Sequence, residues 1–162
     1  MSFEQNIVTK DTNNRLNVLT SDYEGIDIQV MSYQEVLQYV PEKDEACISI
    51  MSEHHDFDAV TIMKKFDDYL ALSFDDIIFD SQNHKNGMSI EDANYVLDFF
   101  EKNKNRKKLV IHCYAGMSRS RSVAESLNRI YRLPFSYTLL NEQVWNTMRT
   151  AYHNRNKECA GD

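Results

Sequence analysis

An α/β fold, with a central and mostly parallel sheet of about four to five strands flanked by helices, is the class this sequence predicts. Three observations predict it. Short apolar runs at 26–30, 46–51, 69–74 and 108–111 have the length and character of strands. Elsewhere the apolar spacing becomes helical: Ala93, Val96, Leu97 and Phe100 form one set, and Val123, Leu127, Ile130 and Tyr131 form another. The first set lies between the run at 69–74 and the fully apolar Leu109-Val110-Ile111, which makes a strand–helix–strand crossover of the parallel kind.

In chain order, residues 1 to about 24 are polar and expected to be irregular, within one domain spanning 1–162. Ile26, Ile28 and Val30 alternate with polar residues, as a strand does. Ser32 and Glu35 have capping-box spacing for a short helix carrying Val36, Leu37 and Val40, which Pro41 stops. The run at 46–51 reads as a buried strand. The loop His54-His55-Asp56-Phe57-Asp58 carries ligand-type residues, but adjacent histidines without spaced partners make a poor metal site, and no metal is expected. A short helix or turn is expected within 58–67. The strand ending at Phe74 delivers Asp75 and Asp76 to a loop, where α/β folds place chemistry. Residues 81–87 are polar and suit a lid, with His84 read as a solvated side chain.

Ser89 and Asp92 mark the next helix start, and the basic stretch 102–108 suits a helix C-terminus. After the strand at 108–111, a helix is expected over 120–132, with Arg121 on its exposed face and no role assigned to it. Pro134 breaks the chain. A last amphipathic helix carries Leu139, Leu140, Val144, Trp145 and Met148, and 154–162 reads as a frayed tail.

Composition narrows the function classes. At 162 residues, with 42% hydrophobic and 27% charged, the chain is long enough for one well-formed core. A net charge of -7 disfavours nucleic acid and acidic membrane surfaces as partners. Three cysteines, an odd and sparse set, suit a reducing compartment rather than a disulfide framework. Cys47 reads as strand packing, with capture of an oxidised Cys113 as the rival role, and Cys159 sits in the polar tail. No apolar run has membrane-spanning length and the N-terminus lacks a signal-peptide pattern, so cytoplasmic residence is expected.

The chemistry concentrates in His112-Cys113-Tyr114-Ala115-Gly116-Met117-Ser118-Arg119-Ser120. A strand leads in and a helix leads out. The first amides of a helix have no intrahelical acceptor and sit at the positive end of its dipole, so this loop is an anion cradle. Gly116 suits a backbone curl that side chains resist. Cys113 lies where the field favours an ionised sulfur, the form that acts as nucleophile. Arg119 supplies a planar fork matched to two phosphate oxygens. Ser120 is placed to hydrogen-bond the sulfur, and His112 to hold the loop.

This run resembles the signature His-Cys-x5-Arg-Ser/Thr of the cysteine-dependent protein tyrosine phosphatases, and its form HCxAGxSRS is most similar to the small dual-specificity branch. The resemblance is specific over the loop. By arrangement of elements it extends from about Leu72 onward, and Asn141 with Val144 resembles the Asn-x-x-Val start of the final helix in such enzymes.

The resemblance implies a protein phosphatase without cofactor or metal. It would act on phosphotyrosine, with phosphoserine and phosphothreonine as further candidates, through a cysteinyl-phosphate. Tyr114 to Arg119 would bind the phosphate. The family's general acid, an aspartate after the preceding strand, matches Asp76 best, with Asp75 and Asp80 as alternatives. Rival readings are an RNA 5′-phosphatase, a phosphoinositide phosphatase, or a silent phosphopeptide-binding module. Uncharged Tyr114, Ala115 and Met117, and Ser120 after the arginine, disfavour the first two. A low-molecular-weight phosphatase or arsenate reductase would carry the cysteine loop near its N-terminus, not at position 113.

Overall fold

The computed structural model describes residues 7–10, 16–19, 24–77 and 86–160. Its centre is a parallel sheet of four strands: β3 (Asp27–Met31), β4 (Glu45–Met51), β5 (Asp68–Ser73) and β6 (Lys108–His112), in the order β3-β6-β4-β5. Two further strands, β1 (Ile7–Lys10) and β2 (Leu16–Leu19), pair antiparallel in the first 24 residues, the stretch expected to be irregular. Leu16 and Asn17 of β2 then pair with Ser136 and Phe135 of β7 (Phe135–Ser136). The period-2 pattern of Ile7-Val8-Thr9 and Leu16-Asn17-Val18 is too short to reveal this hairpin without its partner strand.

Alternation along the strands sorts the side chains into two cores. Ile28 and Val30 of β3, Ile48 and Ile50 of β4, and Leu109 and Ile111 of β6 face one side. There they meet α3 (Ile90–Asn103), α4 (Arg119–Tyr131) and α5 (Glu142–Ala160) through Val96, Leu97, Phe100, Val123, Leu127, Val144 and Met148. Met31, Cys47 and Val110 face the other side, under α1 (Tyr33–Gln38) and α2 (Ala59–Met63), with Val36 and Ile62. Strands buried on both faces carry continuous apolar runs, as expected for a parallel sheet between helices.

The local signals explain most boundaries. The Ser32 hydroxyl accepts the Glu35 amide, and the Glu35 carboxylate accepts the Ser32 amide, so both arms of the capping box form. The helix ends earlier than expected: Tyr39 is extended, and Val40 is 84% exposed rather than part of an apolar face. Pro41 disfavours helical geometry at Val40, which explains the early stop. Ser89 and Asp92 form a second capping box on α3. Leu139 and Leu140 precede α5 rather than belonging to it, and α5 continues as helix to Ala160 through most of the expected tail. Among the described residues, no helix is long and apolar enough to cross a membrane.

All four parallel strands end on the same edge of the sheet. The segments leaving those ends (Ser32, 52–58, 74–77 and 113–118) supply the candidate site. That edge, outside the carboxyl ends of the strands, is where open α/β sheets bind ligands.

Candidate active site

The loop between β6 and α4 curls tightly against the start of α1. Gly116 adopts φ +70, and a Cβ built on it would lie 2.7 Å from the Ser32 amide nitrogen and 2.8 Å from the Met31 carbonyl carbon. Both the backbone angle and the contact therefore require glycine. The Tyr33 amide donates to the Tyr114 carbonyl at 3.0 Å, so α1 holds the loop from outside.

Cys113 sits on the loop floor, 2% exposed. The Gly116 amide donates to its sulfur at 3.2 Å, and the Ser120 hydroxyl lies 3.1 Å from it. One amide donor and one hydroxyl thus lie within hydrogen-bond reach of the sulfur. Ser118 occupies the N-cap position of α4 but makes no side-chain cap bond. Its hydroxyl instead donates to Asp76 Oδ1 at 2.7 Å. The first amides of α4 thus have no hydroxyl acceptor from the position that usually supplies one.

Arg119 is 6% exposed and anchored at one nitrogen. Its Nη1 donates to Ser52 Oγ at 2.9 Å and to the Phe74 carbonyl at 2.8 Å. The Phe74 bond ties the arginine to the segment that carries the candidate acids. Asp76 Oδ1 accepts from Ser118 and, at 2.7 Å, from Asn141 Nδ2. Asn141 is fully buried, receives the Val144 amide on its Oδ1, and donates its own amide to Ser122 Oγ. It therefore starts α5 and braces the acid segment at once.

His112 is fully buried and bonded through both ring nitrogens. The Cys113 carbonyl, 3.2 Å from Nδ1, can only accept, which assigns the proton to Nδ1. Nε2 then accepts from Ser49 Oγ, whose oxygen accepts from Tyr69 Oη at 2.7 Å. Burial is the main cause that pushes the His112 pKa down to about 4. The nearby Arg119 charge adds to it, and the Cys113 carbonyl opposes it. At neutral pH the ring is uncharged and acts as a rigid strut.

Of the predicted residues, Cys113 is bonded with Gly116, Ser120 and His112, Asp76 is bonded with Ser118, and Arg119 is bonded through Phe74 to the segment that carries Asp76. Tyr114 and Met117 are 52% and 54% exposed, and Ala115 is exposed too, so these three offer backbone to the cradle and side chains to the rim. Asp75 turns to an adjacent cavity of about 440 Å3, lined also by Glu53, His54 and Asp92. Asp80, His84 and most of the expected lid fall outside the described residues. Among those described, no cluster of His, Cys, Asp or Glu is placed to hold a metal. His55 stacks on Tyr114, centroids 4.4 Å apart at 7°, and forms a wall of the rim. Cys47 packs on the opposite face of the sheet from Cys113, so the two thiols cannot meet without unfolding β4.

Sequence reasoning missed Ser49, Ser52 and Tyr69. One signal was present: Ser49 and Ser52 punctuate an otherwise apolar run, and buried hydroxyls need partners.

No family model matches the chain, and no curated protein matches it. Among solved structures, the crystal structure of Tk-PTP in the active form aligns with 76% of this chain and 77% of that one. The two share 18% sequence identity, with a TM-score of 0.46.

Proposed function

We propose that this chain is a protein phosphatase that hydrolyses phosphotyrosine, and also phosphoserine or phosphothreonine where the pocket admits them, through a cysteinyl-phosphate on Cys113. One observation carries the reading. The Cys113 sulfur, contacted by the Gly116 amide and the Ser120 hydroxyl, lies on the floor of a strand–loop–helix cradle, beside an arginine whose Nε–Nη2 edge is available to a dianion.

The ionised Cys113 sulfur attacks phosphorus in line and the bond to the leaving oxygen breaks. Asp76 gives that oxygen its proton. Because both bonds to Asp76 fall on Oδ1, the transferable proton belongs on Oδ2. Arg119 and the amides of the loop and first α4 turn stabilise the equatorial oxygens. In the second half, water attacks the cysteinyl-phosphate. Asp76, now a carboxylate, takes a proton from it, and the Ser120 hydroxyl donates to the departing sulfur. No metal or cofactor enters the scheme.

Two features favour a protein substrate over RNA or phosphoinositide. The rim side chains Tyr114, Ala115 and Met117 are uncharged. The neighbouring cavity carries Glu53, Asp75 and Asp92, which repel a second anionic group. The test is turnover of an aryl phosphate, a phosphotyrosine peptide, a phosphothreonine peptide, an RNA 5′-triphosphate and a phosphoinositide, by wild type and Cys113→Ser. The phosphopeptides are expected to turn over, and Cys113→Ser to lose a thousandfold or more while still binding phosphate. Preference for RNA or inositide would overturn the substrate class. Residual activity in Cys113→Ser would overturn the nucleophile.

A further inference from the structure

We infer that Ser52, on the segment leaving β4, is the positioning residue that selects which edge of the Arg119 guanidinium meets substrate phosphate. The inference rests on the reading of the loop as a phosphate site, and it concerns a residue outside the loop signature.

A guanidinium has five N–H donors and two edges that can grip a phosphate: Nη1 with Nη2, or Nε with Nη2. In this structure Nη1 has two acceptors, Ser52 Oγ at 2.9 Å and the Phe74 carbonyl at 2.8 Å. Both of its protons are thereby used. The Nη1–Nη2 edge cannot offer two parallel bonds, and the Nε–Nη2 edge remains. Of the two acceptors, Phe74 supplies a main-chain oxygen that any residue there would supply. Ser52 is the side-chain choice. It is 5% exposed, so water does not substitute freely for it.

The two acceptors also come from different strands. Ser52 follows β4 in the sheet interior, and Phe74 follows β5, which delivers Asp75 and Asp76. Without the Ser52 oxygen, Arg119 is held only by the acid-bearing segment and rotates with it. With both, the fork is referenced to the central sheet. Loss of Ser52 should therefore weaken bidentate phosphate binding while leaving the acid and nucleophile in place.

The experiment compares wild type, Ser52→Ala, Ser52→Thr, Arg119→Lys and the Ser52→Ala/Arg119→Lys double variant. Orthophosphate binding is read by titration, and KM and kcat with an aryl phosphate. Thermal melting confirms that each is folded. Ser52→Ala is expected to bind orthophosphate about tenfold more weakly, with a similar rise in KM and a smaller fall in kcat. Ser52→Thr, which keeps the hydroxyl, should restore both. In the Arg119→Lys background, which has no fork, Ser52→Ala should change orthophosphate affinity by less than about twofold.

Unchanged orthophosphate affinity in folded Ser52→Ala would overturn the inference. So would a full tenfold loss on top of Arg119→Lys, because the serine would then act independently of the guanidinium. If Ser52→Ala does not fold, Ser52→Cys and Ser52→Thr take its place, with weakened and restored affinity expected. If wild type binds orthophosphate without turning over substrate, the enzymatic reading fails while the Ser52 comparison is still read by binding. If wild type binds no orthophosphate, both fail.

Discussion

The loop after β6 and the segment after β5 meet at one site but are held in different ways. The first is wedged. Gly116 lies against the backbone of Met31 and Ser32 with no space for a methyl group, and both flanks are braced from β4, His112 by Ser49 and Arg119 by Ser52. In the second, Phe74 is packed in the core, and the residues beyond it are held by hydrogen bonds: the Asp75 amide donates to the Asn86 carbonyl at 2.5 Å, Asp76 accepts from Ser118 and Asn141, and the Phe74 carbonyl accepts from Arg119. Close packing resists displacement in all directions, whereas a hydrogen bond contributes about 1 kcal/mol net and constrains mainly one direction. The cradle is thus fixed mainly by steric contact, and Asp76 mainly by hydrogen bonds from Ser118 and the buried Asn141.

Four changes break or sharpen that contrast. The largest effect belongs to Gly116→Ala. It forces a Cβ onto the Met31–Ser32 backbone at a positive φ, and should abolish turnover and destabilise the fold by about 3 kcal/mol in urea titration. Near-normal activity in that variant would mean the loop is not wedged. Asp76→Asn should lower kcat about a hundredfold or more with little change in melting temperature, because it removes the proposed proton donor. Asp75→Asn is the control, and kcat should change by less than about threefold. A reversed ranking would transfer the acid role to Asp75.

The third prediction concerns pH. His112 has a folded pKa of about 4, below the ordinary value near 6.5. Between those values the unfolded chain takes up a proton that the folded chain refuses, so stability falls as pH drops from about 6.5 to about 4, by about 3 kcal/mol in all. Below about pH 4 both states are protonated and this contribution stays constant. The direct check is the imidazole signal of His112 by NMR: a titration midpoint near 6.5 would contradict a buried neutral strut. The smallest effect is that of Ser49→Ala. It leaves Nε2 of that ring without a donor and should cost about 1–2 kcal/mol of stability, with a modest loss of kcat/KM.

The four central strands, the helices that cover them, the capping boxes and the floor of the cradle were legible from local pattern. Alternation and helical spacing are properties of neighbouring residues, and burial on two faces follows directly from continuous apolar runs such as Leu109-Val110-Ile111. The early end of α1 was legible in part, since Pro41 acts on Val40 alone. The β1–β2 hairpin was not, because both strands are short and β2 is completed by β7, a strand distant in the chain. Nor was the separation of Cys47 from Cys113, which only the alternation of paired strands across the sheet establishes.

By itself the sequence determined which groups share one turn: a cysteine, a glycine and an arginine spaced along a single strand–loop–helix connection. Tertiary structure alone decided how those groups are aimed. Ser52, just past β4, receives Arg119; Ser49 of β4, itself bonded by Tyr69 of β5, holds His112; and Asn141 reaches Asp76 from the start of α5. The physical reason is distance along the chain. Local spacing sets which groups can share a turn, but the lone pairs that orient a buried arginine, histidine or aspartate come from strands and helices packed against that turn, whose register no short motif records.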